Sequence, residues 1–426
     1  MIYLVLSLFC LLNNKGHNSI TKVLFGLLLF TTIGAYMVGY QPQMELDVQI
    51  YTLYMAVLYT VMFLSFNKYS DLISYDFSQI DNKRLEKVEK VSILLGIFVI
   101  FIYVYVLSNV LHLLVLEEIS VQSHKNEGGS AETFDNLVPH IFITLGNLIS
   151  PLGYLFLSFH FFYLIKCNIK KSILFLFLSL CLIMSGLIAL SRASTANYIL
   201  CYVTILFFIF PLLNKKIKRG YFFFSTLIGT LIFSVLLFIS GNRFSDGVEK
   251  TSSNTSIISE KEQPLLFSLF DYFSQWEENG PIILKKFNCG DESWGLYNSS
   301  GLGVQIEKVI MGAEKVSQQR EKKYDKLLGE QSSRFHGFIG RLVYDFGFIG
   351  TILFVLILKR IVINFSPSNH VLNMKTLLAL PVILPIFVLF WVGNALSDLV
   401  QNLAIIYNII VWRFLRKGRK YLSIPK

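Results

Sequence analysis

Charged residues interrupt this chain only at intervals, and the apolar runs between them are close to the ~20 residues that cross a bilayer as a helix. The runs cover residues 2–12, 22–40, 50–66, 91–116, 140–165, 172–190, 196–213, 221–240, 337–358, 376–392 and 398–412. Backbone amides inside hydrocarbon have no water to bond, so segments of this kind have to be helices. The expected fold class is therefore all-α, a polytopic membrane protein with about 11 transmembrane helices. The number falls to 10 if the first run, short for a ~30 Å hydrocarbon core, does not cross. That run also lacks the basic start and small-residue cleavage site of a signal peptide. Charged residues make up 15% of the chain against about 25% in soluble domains, which excludes a soluble globular enzyme.

Lys and Arg in alternate connections give the orientation, because positive residues stay cytoplasmic. The connections around Lys15, Lys68 to Lys90, Lys166 to Lys171, Lys215 to Arg219, Lys359 to Lys375 and the tail after Arg413 hold 23 of them. The remaining short connections hold only Lys125 and Arg192. The net charge of +10 thus marks one membrane face, and no nucleic-acid partner is expected. The C-terminus is expected in the cytoplasm and the 96-residue segment 241–336 outside. Three parts follow: residues 1–240 with the first eight helices, 241–336 as one large outer loop, and 337–426 with three more helices and a basic tail.

Inside the loop, Leu265, Leu266, Phe267, Leu269, Phe270, Phe273 and Trp276 share one helical side. A helix near 264–276 follows, either lying in the outer interface or serving as a core helix of the loop. The charged helical pattern from Val304 to Leu328 reads as a solvated face. The five cysteines have no disulfide or metal-ligand spacing, and no P-loop occurs. Glu45-Leu46-Asp47 is an isolated acidic pair in a short outer connection. Any bond made here must draw its energy from a substrate already in the membrane or on its outer face.

Ionisable groups at spans are costly and point to function. Arg192, Arg243, Arg334 and Arg341 all fall at outer helix ends, in a chain with 27 Lys and 11 Arg. A guanidinium fork binds phosphate oxygens bidentately, whereas an ammonium is a point charge. Such a set suits a lipid diphosphate, and snorkelling to the interface is the competing reading. The stretch from Arg334 to Gly350 reads RFHGFIGRLVYDFGFIG. On a helix Arg341 and Asp345 are one turn apart and can pair, which makes Asp345 a support for the arginine. His336, Gly340 and Gly347 share another face. A free histidine side chain changes charge near neutral pH, so a histidine at position 336 suits a general base.

These residues resemble the O-antigen polymerase and O-antigen ligase group of bacterial envelope glycosyltransferases. The shared features are many spans with one large late outer segment, the Ser191-Arg192 step, and His336 followed by Asp345, Gly347 and Gly350. Gly337 stands where an asparagine often follows the ligase histidine. The resemblance implies a metal-independent, inverting transfer, without a cofactor, at the periplasmic face of the inner membrane. Donor and acceptor would be glycans carried on undecaprenyl diphosphate among the membrane lipids, with a separate chain-length regulator as partner. Arg192, Arg243, Arg334 and Arg341 would hold the diphosphate, and His336 would take the acceptor proton. An O-antigen ligase and a lipid-linked oligosaccharide flippase or transporter are the alternatives.

Overall fold

The computed structural model describes residues 2–14, 16, 19–40, 45–115, 140–188, 192–220, 257–258, 263–287, 335–393, 396 and 398–417. The eighth expected span, the Val304 to Leu328 pattern, Arg243 and Arg334 lie outside the described residues. In chain order the main helices are α1 (Ile2–Asn13), α2 (Ile20–Val38), α3 (Leu46–Leu64), α4 (Asn82–Val115), α5 (His140–Ile149), α6 (Leu152–Ile165), α7 (Ile169–Ser179), α8 (Cys181–Ile188) and α9 (Arg192–Ile209). Then follow α10 (Pro264–Lys286), α11 (Gly337–Asn364), α12 (Met374–Val388) and α13 (Leu399–Leu415). The only sheet among the described residues pairs β1 (Ser74–Asp76) with β2 (Val371–Asn373) in parallel.

Among the described residues, six helical segments are long and apolar enough to cross a membrane: Ile20–Val38, Leu46–Leu64, Asn82–Asn109, Ile169–Ile188, Ser194–Leu212 and Gly337–Asn364. Leu94, Phe101, Val104 and Tyr105 on α4 and Ile349, Leu353, Leu356 and Ile357 on α11 are exposed. Large exposed apolar rows of this kind suit contact with lipid rather than water. Small hydroxyl side chains inside the bundle bond back to their own helices, Thr31 and Thr32 to the Leu28 carbonyl at 3.0 and 2.9 Å.

The basic connections meet at one end of the bundle. Ile20 N donates to Tyr69 O at 3.1 Å, and Ile73 N to His370 O at 3.0 Å, beside the β1–β2 pair. Asp81 N donates to Leu415 O, Lys417 N to Gln79 O, and Lys171 is paired with Glu89 at 2.7 Å. At the opposite end Tyr40 is hydrogen-bonded to Asp271, and Lys285 is paired with Glu45. Helix α1, shorter than those six segments, packs on α2 and α3. Tyr3 packs edge-on to Trp276 at 4.9 Å, while Gly16 sits against Ser70.

Several expected spans are interrupted. Residues 140–165 form α5 and α6, divided at Ser150-Pro151, where proline cannot continue the hydrogen-bond ladder. The ninth run is a broken helix. Gly347 has φ 65° and ψ −177°, a conformation open essentially to glycine alone, so α11 consists of a first half up to Phe346 and a second half beyond it. The hydroxyl of Tyr54 on α3 donates to the Phe348 carbonyl at 2.7 Å, and Thr351 donates to the Gly347 carbonyl at 2.7 Å. Carbonyls at the break are thereby met. A face shared by His336, Gly340 and Gly347 therefore ends at Gly340.

Gly347→Ala is expected to cost about 1–3 kcal/mol through backbone strain. The measurement is the apparent melting temperature of the purified protein in detergent. An unchanged value would mean that the break accepts a β-carbon and relaxes.

Candidate functional site

Helix α10 builds the roof of the site. Its 23 residues run about 34 Å, yet both of its ends reach the connection between α2 and α3, Asp271 at Tyr40 and Lys285 at Glu45. It therefore lies across that end of the bundle, packed on α2, α3 and α11. The helix extends ten residues beyond the expected 264–276; Phe267 and Trp276 on its apolar side are buried, whereas Leu266 and Leu269 stay exposed. Trp276 at its centre is fully buried, 4.9 Å from the Tyr3 ring and 5.3 Å from each of Tyr59 and Phe390.

Glycines set these approaches. A β-carbon on Gly34 of α2 would lie 2.5 Å from Ser274 Oγ and 2.9 Å from Phe270. One on Gly280 would lie 2.7 Å from the Met55 tip and 3.1 Å from the His336 carbonyl. Gly340 faces the same crossing, its β-position 3.9 Å from Gly280 Cα. Small residues at such crossings let backbones come close, as they do between membrane helices.

His336 caps the start of α11 and is 2% exposed. The chain around it is held from three sides. Phe335 N donates to Gln275 Oε1 of α10 at 3.4 Å, and Phe338 N to the Phe390 carbonyl at 2.7 Å. Ile339 N donates to the Tyr59 hydroxyl at 3.4 Å, which itself donates to the Phe390 carbonyl at 3.3 Å. Gly337 between them has φ 73°, and a β-carbon there would meet the Tyr59 hydroxyl at 2.7 Å. A residue with a side chain at 337 would have to break this clasp.

Arg341 lies one and a half turns into the same half-helix, about 7.5 Å along the axis from His336. Its guanidinium rests on the loop after α12, where a β-carbon on Gly393 would fall 2.6 Å from Nε and 2.7 Å from Cζ. Asp345, one turn beyond Arg341, is fully buried just before the Gly347 break. Thus His336, Arg341, Asp345 and Gly347 come together on one short rigid element. Arg192 is the first residue of α9, and Arg243 and Arg334 lie outside the described residues. A cluster of four arginines is not among the described contacts.

Acids outnumber that guanidinium on the two helices. Asp271, Glu277 and Glu278 stand on α10 and Asp345 on α11. Asp271 is buried and accepts from Tyr40 and, at 2.7 Å, from Gln275. Sequence reasoning stopped at Trp276 and missed Glu277 and Asn279, although the polar run Glu277-Glu278-Asn279 inside an apolar helix was the available signal. Among the described residues no group of His, Cys, Asp or Glu is arranged to hold a metal ion.

Gly280→Val should drive α10 from α11, because the His336 carbonyl cannot yield as the Met55 tip can. Overpacking of this sort costs about 1–3 kcal/mol. Trp276 should become open to acrylamide quenching of its fluorescence; unaltered quenching would mean that α10 does not depend on this crossing. Comparison with protein-family models, with curated proteins and with solved structures gives no match for this chain.

Proposed function

We propose that the protein is a membrane glycosyltransferase that polymerises oligosaccharide repeat units carried on undecaprenyl diphosphate, at the face of the membrane opposite its basic connections. The observation that supports this most directly is the placement of His336 and Arg341 on one half-helix, clamped at both ends and roofed by α10. An inverting transfer needs a base on one side of the sugar carbon and a counter-charge for the leaving group on the other. Arg341 would meet the diphosphate as negative charge develops on it, which is where electrostatic stabilisation counts most. His336 would accept the proton of the attacking hydroxyl. Since acids outnumber Arg341 on α10 and α11, the reading assigns a share of the diphosphate charge to Arg192, Arg243 and Arg334. Asp345 and Gly347 support the site by fixing the length and direction of the half-helix.

One observation favours a transporter of lipid-linked oligosaccharide instead. Transport proteins commonly place broken helices at their substrate sites, and α11 is broken at Gly347.

The test is purified protein in nanodiscs given undecaprenyl-diphosphate-linked repeat units alone, without nucleotide or added metal. A ladder of lipid-linked products is expected. His336→Ala should slow ladder growth by about 10²–10⁴-fold, the usual worth of a general base. Arg341→Lys keeps the charge but loses the fork, and Gly393→Ala displaces the guanidinium; both should slow it as well. Absence of a ladder, with repeat units crossing a liposome membrane, would replace the polymerase by the transporter.

A further inference from the structure

Buried polar atoms without a partner gather around Trp276. Trp276 Nε1, Asn279 Nδ2 and Oδ1, and Trp391 Nε1 have no hydrogen-bond partner among the described residues, and all three side chains are fully buried. The Tyr3 hydroxyl and Glu277 Oε1 join them from the α1 side. More than nine in ten buried polar atoms in native proteins are partnered, so six in one neighbourhood require a cause. The neighbourhood is continuous. Phe390 touches Trp276 at 5.3 Å and Trp391 at 5.2 Å, and Phe273 of α10 touches Trp391 at 5.1 Å. Asn279 precedes Gly280, whose β-position is 3.1 Å from the His336 carbonyl, so on α10 the constellation is one residue from the crossing with the start of α11.

The atom types narrow the ligand. Indole N–H groups only donate and cannot ligate a metal. A phosphate would meet the Glu277 carboxylate, and an acyl chain has no use for any of these atoms. A neutral molecule that both donates and accepts hydrogen bonds and offers apolar C–H faces to aromatic rings fits them, and a sugar ring is such a molecule. We infer that Trp276, Asn279 and Trp391 form the subsite that binds the acceptor sugar and presents its hydroxyl to His336. This rests on the polymerase reading. Binding requires α10 to lift from Phe390, and the helix carries Gly280-Pro281, where proline supplies no N–H to the ladder, at the place where that motion would be taken up.

Asn279→Leu keeps the volume and removes two unpartnered atoms; Trp391→Phe removes the N–H and keeps a ring. The probes are methyl glycosides of glucose, galactose, mannose, N-acetylglucosamine and N-acetylgalactosamine, added to the purified protein in nanodiscs. At least one should raise the melting temperature of the unaltered protein. Asn279→Leu should melt higher than the unaltered protein without sugar, and both variants should lose the glycoside shift and raise the KM for repeat units at least about tenfold. A shift from none of the five would overturn the subsite. So would variants that melt lower without sugar while keeping the shift, since the atoms would then be held by structural water. The two proposals fail separately. A glycoside shift without a ladder keeps the subsite and removes the polymerase, whereas a ladder indifferent to both variants keeps the polymerase and removes the subsite.

Discussion

The close approach of α10 to its neighbours governs the end of the bundle that carries the candidate site. Between membrane helices there is little hydrophobic gain to be had, because lipid is as apolar as leucine, so contact depends on how closely backbones can pack. Gly34 and Gly280 stand where a β-carbon would crowd another helix, and Gly340 faces Gly280 across the second of these crossings. With those contacts made, Trp276 fits among Tyr3, Tyr59 and Phe390. Without them the helix would lie higher, as an ordinary interfacial helix, and His336 would be open to solvent. Ser274, whose hydroxyl donates to the Thr31 carbonyl at 2.8 Å, and the Tyr40–Asp271 bond fix where along α2 the contact falls.

A second constraint is backbone rather than side chain. Two positive-φ glycines bracket the first half of α11, Gly337 at 73° and Gly347 at 65°. The first lets the chain turn sharply beneath Tyr59, and the second ends the half-helix before it can run on as one rod. Strained positions of this kind persist only where neighbours over-determine them, and here the Phe390 carbonyl, the Tyr59 hydroxyl and the Tyr54 hydroxyl do so. The result is a short, fixed platform that holds a histidine and an arginine at set heights. Catalytic groups gain from such preorganisation because no reorganisation is needed during reaction. The same platform holds Asp345 in the interior, where an acid needs compensation from its surroundings.

The basic end works differently. There the connections are joined by backbone pairing, β1 with β2 and Asp81 and Lys417 with the end of α13, and by long cationic side chains laid over rings, such as Lys166 over Phe162 at 4.4 Å. Arg84 adds hydrogen bonds to the Phe414 and Arg416 carbonyls at 3.1 and 3.2 Å.

The sequence by itself determined the helical class, the membrane character and the pairing of basic connections at one end, because apolar length and charge sign are properties of each segment alone. It also singled out His336, Arg341, Asp345 and Gly347, since residues within one turn or two of a helix can be related by its period. Only the tertiary structure decided that α10 belongs to the bundle, that Gly347 breaks the ninth helix, and that Gly393 carries the guanidinium of Arg341. Amphipathic spacing in α10 is the same whether its apolar side meets lipid or protein. A glycine inside an apolar run does not announce its φ, and contact between positions 341 and 393 depends on how two helices and a loop pack, which no local pattern records.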